Sequence, residues 1–150
     1  MSRRDLIKMT PGEVLAFFAE QKVINVATIN PNGRPHLAPL WYVPRGDGVA
    51  TWTYRKSQKV ANLRRLPQAT VLIETGDTYD KLRGVQFEAD VEIVEDTPAV
   101  AEIGSAMAER YGGGSLGADV VAAQAAKRVG LVFTPTKIVS WDHSKLGGAY

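Results

Sequence analysis

Thr51-Trp52-Thr53-Tyr54-Arg55-Lys56-Ser57-Gln58-Lys59-Val60-Ala61-Asn62-Leu63 carries more information than any other stretch of this chain. Its first four residues are β-branched or aromatic, the composition of a strand. Three cations, a hydroxyl and an amide follow, at the start of a short helix predicted from about Ser57 to Leu66 and ended by Pro67. Backbone N–H groups at a helix start, the positive end of its dipole and nearby Lys and Arg heads together favour an anion such as a phosphate. The segment has neither GxxxxGK[ST] nor GxGxxG, so it is neither a P-loop nor a dinucleotide fingerprint. Read from its charges alone, the same stretch is also compatible with a solvated turn.

The flanks on both sides read as hairpin-linked strands. Val23-Ile24-Asn25-Val26-Ala27-Thr28-Ile29 is β-branched, and Asn30-Pro31-Asn32-Gly33 after it is a strong hairpin turn. Residues 34–43 return as a second strand whose Pro35 and Pro39 cannot donate to a ladder, so it should be an edge, a bulge or a strand facing something other than protein. Arg45-Gly46-Asp47-Gly48 turns into the third strand, 49–54. Upstream, Thr10-Pro11-Gly12-Glu13 has the form of an N-cap, an N1 proline and a capping box, opening a helix to about Gln21. Downstream, strands are predicted at 69–74 and 82–94, helices at 98–111 and 119–127, and a last strand at 129–141 bent at Pro135. The glycine-rich run 112–117 reads as a flexible loop between two helices rather than a phosphate cradle. Too few βαβ units alternate for a doubly wound sheet. The fold class is mainly β (α+β), a largely antiparallel barrel with peripheral helices, in a single domain spanning 1–150.

Composition narrows the function. At 150 residues the chain is long enough for a core without disulfides, and it has no cysteine. A net charge of +2 does not suit a nucleic-acid binder. No apolar run is long enough for a bilayer span, and no signal-peptide core follows the basic N-terminus, so a cytoplasmic protein without membrane partners is expected. Two histidines far apart and no HExxH argue against a metal, and no nucleophile elbow is present.

The order of parts resembles the pyridoxamine-phosphate-oxidase-like split β-barrel family, FMN-binding-like in fold, over nearly the whole chain. The resemblance rests on the helix ending near Glu20-Gln21, the 27–35 hairpin, the Trp52-Thr53 strand, the Ser57-Gln58-Lys59 turn and Asn62-Leu63. Pro39-Leu40-Trp41-Tyr42-Val43, Tyr54-Arg55-Lys56-Ser57-Gln58-Lys59 and Ser140-Trp141-Asp142-His143-Ser144-Lys145-Leu146 are further similar to its type B flavin/deazaflavin oxidoreductases, which use coenzyme F420. This resemblance implies a homodimer with the cofactor in a groove shared by both chains, and hydride transfer from the reduced deazaflavin to a small-molecule acceptor such as a quinone, unsaturated lactone or biliverdin-like tetrapyrrole. Ser57 and Lys59 match the family's phosphate-binding Ser and Lys, while Gln58 stands where flavin-using oxidases often have Arg. FMN is the alternative cofactor, and a non-catalytic F420 carrier the alternative role. Pyridoxamine phosphate oxidation is disfavoured, because Asp142-His143-Ser144 does not reproduce the Arg-x-His motif of that enzyme.

The implied cofactor site comprises Arg55, Lys56, Ser57, Gln58 and Lys59, together with Ala38, Pro39, Leu40 and Trp41 beside the ring system. Arg55 and Lys56 would point to opposite faces if the strand ran through them, so one of the two is expected at the phosphate. Trp41 reads equally as a core aromatic or a stacking residue. His36 reads as structural or exposed. His143 and Lys145 would reach a partner chain's groove or pad the dimer interface. No catalytic acid stands out, and Tyr54 and Tyr79 are the candidate proton sources.

Overall fold

The sheet is closed by one residue. Strands β1 (Val23–Ile29) and β2 (Pro35–Trp41) form the first hairpin, and β3 (Val43–Arg45) and β4 (Gly48–Tyr54) the second. With β5 (Gln68–Thr75), β6 (Arg83–Val94) and β7 (Arg128–Asp142) they make a seven-stranded sheet, antiparallel throughout, in the order β2-β1-β5-β6-β7-β4-β3. β2 and β3 lie at opposite edges, yet only Tyr42 separates them in sequence. Because one residue spans only about 3.8 Å, the sheet must curl until its edges meet, and the result is a split barrel. The Thr51 hydroxyl on β4 donates across this seam to the Trp41 carbonyl at 2.7 Å. The computed structural model describes residues 2–112 and 117–148, so most of the predicted glycine loop, residues 113–116, lies outside the described residues.

Inward-facing side chains fill the barrel. Ile24, Val26, Val71, Ile73, Val85, Phe87, Leu131 and Phe133 are fully or almost fully buried. α2 (Pro11–Glu20) packs Phe17 and Phe18 into the core at the end of the barrel where β6 starts, and α3 (Gln58–Arg65) packs Val60 and Leu63 into it at the opposite end, where β1 ends. The predicted capping box of α2 is formed, with Glu13 N–H donating to the Thr10 hydroxyl at 3.2 Å and Thr10 N–H to the Glu13 carboxylate at 2.9 Å. A short α1 (Arg3–Ile7), which the sequence reading passed over, carries the same device between Ser2 and Asp5. Helices α4 (Thr97–Arg110) and α5 (Ala118–Ala125) pack on the outside of β4 and β7. Gly104 lets α4 approach β4, since a Cβ there would stand 2.2 Å from the Trp52 ring. The bend expected at Pro135 is a β-bulge: Glu88 pairs Lys137 and Ala89 pairs Pro135, leaving Thr136 unopposed.

The second strand is interrupted where a continuous run over 34–43 was expected. Tyr42 is held between β2 and β3 with its side chain in the core. Its hydroxyl donates to the carbonyls of Phe18 (2.7 Å) and Gln21 (2.9 Å), and its N–H to the Tyr111 hydroxyl (2.9 Å). Burial, opposed by the neighbouring Arg110, pushes the Tyr42 phenol up to about 12, so it remains a hydrogen-bond donor at neutral pH. Among the described residues no helix is long and apolar enough to cross a membrane.

Candidate functional site

The hairpin geometry determines which backbone groups of β2 are free. Asn30 N–H donates to the Arg34 carbonyl at 2.9 Å, so the bonded pairs below it are Thr28–His36, Val26–Ala38 and Ile24–Leu40. The intervening residues Pro35, Leu37, Pro39 and Trp41 therefore turn their backbone groups away from β1, along the free edge of the sheet. Both prolines fall in this outward set, as an edge strand requires. Leu37 keeps an N–H and a C=O there, Pro39 only a C=O, and Trp41 an N–H, while the groups of Ala38 and Leu40 point at β1. Trp41 is not a core aromatic: the residue is 56% exposed, and its ring stacks on Tyr111 with centroids 4.5 Å apart.

At the other part of the expected site, β4 ends at Tyr54, so Arg55 and Lys56 lie in a turn and are both exposed. The restriction to one cation imposed by strand alternation does not apply. Ser57 is the N-cap of α3, with its N–H bonded to the Tyr54 carbonyl at 3.1 Å. Its hydroxyl caps nothing: Ser57 Oγ is buried and has no hydrogen-bond partner among the described residues. Tyr54, Arg55, Lys56 and Ser57, with Ala126 and Lys127, line an open cleft of about 580 Å³. Lys59, half-buried in the first turn of the helix, has its ammonium pulled below the ordinary lysine value by burial, and no carboxylate pairs with it among the described residues.

Gln58 is turned along the helix rather than toward the cleft. Its amide donates to Asn62 Oδ1 at 2.9 Å. Asn62, fully buried, then donates to Thr28 Oγ1 (3.1 Å) and Asn30 Oδ1 (2.9 Å), tying α3 to β1 and to the hairpin turn. Arg65 also donates to the Ile29 carbonyl. The first turn of α3 is thus anchored by a satisfied polar network while Ser57 Oγ is left open.

Two further cations come from residues the sequence reading did not select. Lys127 lines the cleft, and its carbonyl accepts from Arg55 N–H at 3.0 Å. Arg128 lies opposite Tyr54 in the β4–β7 ladder, 4.3 Å over the Tyr54 ring and 4.8 Å over Trp52, and donates to the Gln124 carbonyl. These cation–π contacts fix it as a wall of an adjoining cavity of about 480 Å³, which shares Tyr54 and Lys127 with the first. Only the paired cations Lys127-Arg128 were visible in the sequence; their place beside Tyr54 depends on strand register.

His143 and Lys145 line neither cavity. His143 N–H donates to the Leu82 carbonyl, and its ring lies edge-on to Tyr79, 4.5 Å away. Lys145 donates to the Lys8 carbonyl (2.9 Å) and pairs with Glu13 (2.7 Å). The Lys145 ammonium, together with the Thr10 N–H, holds the Glu13 carboxyl down at about 2. Among the described residues no three His, Cys, Asp or Glu side chains converge as a metal site would need.

The chain matches known proteins over the whole of this architecture. A conserved hypothetical protein from Mycobacterium tuberculosis is 39% identical, with a TM-score of 0.91 over 100% of this chain and 95% of that one. An F420 reductase, 24% identical, superposes with a TM-score of 0.68 over 82% of this chain and 93% of that one. The haem storage protein HutZ from Vibrio cholerae, 20% identical, does so at 0.70 over 89% and 96%. At these lower identities the likeness establishes the fold alone. No curated protein sequence matches the chain. The family model described as pyridoxamine 5'-phosphate oxidase matches residues 10–142, from the N-cap of α2 to the end of β7. The chain belongs to the pyridoxamine 5'-phosphate oxidase family, whose split barrel it has.

Proposed function

We propose that the protein is an F420-dependent oxidoreductase acting on a conjugated organic acceptor, of the class of quinones, unsaturated lactones or biliverdin-like tetrapyrroles. The observation that carries this reading is the buried, unpartnered Ser57 Oγ at the start of α3, at the head of a cleft walled by cations. The residues present fit the cofactor's anionic half. Ser57 would hold its phosphate through the hydroxyl and Lys59 through a half-buried ammonium that lacks a counter-charge. Arg55, Lys56 and Lys127 would meet the carboxylates of an oligoglutamate tail, which FMN, ending at its phosphate, does not have. The free backbone groups of Leu37, Pro39 and Trp41 suit the hydrogen-bonding edge of the ring system. When bound and reduced, a deazaflavin supplies a hydride, which leaves the protein to bind, orient and exclude water. The fold relative named as an F420 reductase is consistent with this reading.

Fluorescence titration with oxidised F420 and, separately, with FMN tests it. Tight F420 binding with weak FMN binding supports the assignment, and a preference for FMN overturns it. Tight F420 binding with no turnover across a panel of quinones, lactones and tetrapyrroles would make the protein a carrier. Ser57→Ala and Lys59→Ala are each expected to weaken F420 binding by about tenfold, the scale of one charge-assisted hydrogen bond. Wild-type affinity in both variants would remove the phosphate from this end of α3.

The same reading includes a homodimer. Val23, Ile29, Leu37 and Trp41 are exposed on one side of the β1–β2 hairpin, with Ala27 beside Leu37 and the pair Val23–Trp41 in register. Leu37 is 69% exposed, and a row of this kind is typical of a covered surface. A stable dimer buries about 800 Å² per partner. Leu37→Asp is therefore expected to shift the species seen by light scattering from twice the 16.3 kDa chain mass to the monomer. A wild-type protein that is monomeric at micromolar concentration would end this part of the reading. The bonds of His143 and Lys145 to their own chain favour interface padding over ligand contact for the 143–146 segment.

A further inference from the structure

Among the described residues two buried side-chain polar atoms have no hydrogen-bond partner: Ser57 Oγ and Nδ1 of His36. The second lies on β2, in the alternating half-buried set 36, 38 and 40 that faces inward, while 35, 37, 39 and 41 are exposed. His36 and Thr28 form a directly opposed pair across the hairpin, which sets their Cβ atoms about 5.5 Å apart or less on the same face. The polar network that includes Thr28 is satisfied without His36: Gln58 donates to Asn62, and Asn62 to Thr28 and Asn30. The His36 backbone is directed into the β1 ladder. The imidazole nitrogen is therefore left bare in a place where a desolvated, unmet polar atom has a substantial cost.

We propose that His36 is a further ligand-binding residue, its Nδ1 donating a hydrogen bond to a ring carbonyl of the heteroaromatic cofactor. This rests on the cofactor assignment above. The two unpartnered atoms flank one satisfied network, with Ser57 on its α3 side and His36 on its β2 side. Phosphate chemistry suits the first, where cations gather. It does not suit the second, where the residue directly opposed across the hairpin is the neutral Thr28. A neutral acceptor with oxygen in the plane of a ring matches that position, one residue along from the free N–H of Leu37. Nδ1 has a definite direction on the ring, so its donor would select the cofactor's orientation as well as add affinity.

Imidazole ¹⁵N NMR tests this directly, because the chain has only two histidines and His143→Gln leaves the His36 signals alone. Saturation with oxidised F420 is expected to move Nδ1 to the shift of a hydrogen-bonded N–H, whereas inorganic phosphate leaves it in place. His36→Phe should weaken F420 binding about tenfold. His36→Asn, whose amide nitrogen stands near the Nδ1 position, should remain within about threefold of the wild type. An Nδ1 signal unmoved at saturation overturns the proposal, as does wild-type affinity in His36→Phe or equal losses in both variants. If His36→Phe does not fold, the wild-type spectrum decides. A wild-type protein that binds neither F420 nor FMN overturns the cofactor reading and this proposal together. Normal F420 binding with a silent His36 overturns this one alone.

Discussion

Replacing Arg110 by Ala should lower the stability of the fold by about 3 kcal/mol, more than an ordinary surface substitution by severalfold. From the end of α4 this guanidinium donates to the carbonyls of Tyr42 (2.9 Å), Phe18 (3.0 Å), Ala19 (3.0 Å) and Gln21 (2.6 Å), and to the Tyr111 hydroxyl (2.8 Å). It also lies 4.7 Å over the Tyr42 ring and 5.3 Å over that of Tyr111. Three of the carbonyls belong to the C-terminal end of α2, where unpaired C=O groups and the negative end of the dipole call for a cation. The fourth is the residue at which the chain leaves one edge of the barrel for the other. The loss stays well below five separate hydrogen bonds because the Tyr42 hydroxyl still serves Phe18 and Gln21. For a chain of this length, about 3 kcal/mol corresponds to a fall in Tm of about 6–12 °C. Lys at this position should recover little, since a point charge cannot reach acceptors spread over two elements. Urea denaturation checks it, and a loss below about 1 kcal/mol would show that the barrel seam closes without this residue.

Asn62→Ala is expected to act on both stability and binding. The side chain is fully buried and makes three hydrogen bonds, to Gln58, Thr28 and Asn30. Its removal strands the Thr28 hydroxyl inside the barrel and opens a small void, at a cost of about 2–3 kcal/mol. Because the same bonds seat the first turn of α3, F420 affinity should fall as well, although Asn62 itself need not touch the ligand. Denaturation and fluorescence titration on one preparation separate the two effects. A protein destabilised as expected but with unchanged affinity would show that α3 keeps its place through Val60 and Leu63 alone.

Much of this architecture could be read from local chemistry. The capping box at Thr10, the Asn32-Gly33 turn, the two prolines of β2 and the proline at the β7 bulge each act over a few residues, and each is where the sequence indicates. Gly33 has a φ of 83°, the conformation for which that turn uses glycine. Ser57 and Lys59 were legible for the same reason, since a hydroxyl and a cation at a helix start have a meaning independent of the rest of the chain. The short α1 was equally legible from Ser2 and Asp5, but its five residues bury none of their number and leave no periodic pattern to notice.

His36 and Gln58 show where local chemistry stops. Nothing adjacent to His36 in sequence says that its Nδ1 is enclosed, and nothing near Gln58 says that its amide turns back to Asn62. Lys127 and Arg128 are two cations among many until the β4–β7 register sets Arg128 over Tyr54. Lys145 and Glu13 meet from opposite ends of the chain.

The sequence by itself therefore determined most of the elements, the first hairpin, the antiparallel class and the anion-suited start of α3, because propensity, capping and turn chemistry act between near neighbours. Only the tertiary structure decided that Tyr42 carries the chain between opposite edges of the sheet, which polar atoms remain unpaired inside, and which cations share a cleft. Those outcomes depend on strand register and sheet curvature, which are set by burying one face of every strand at once rather than by any single segment.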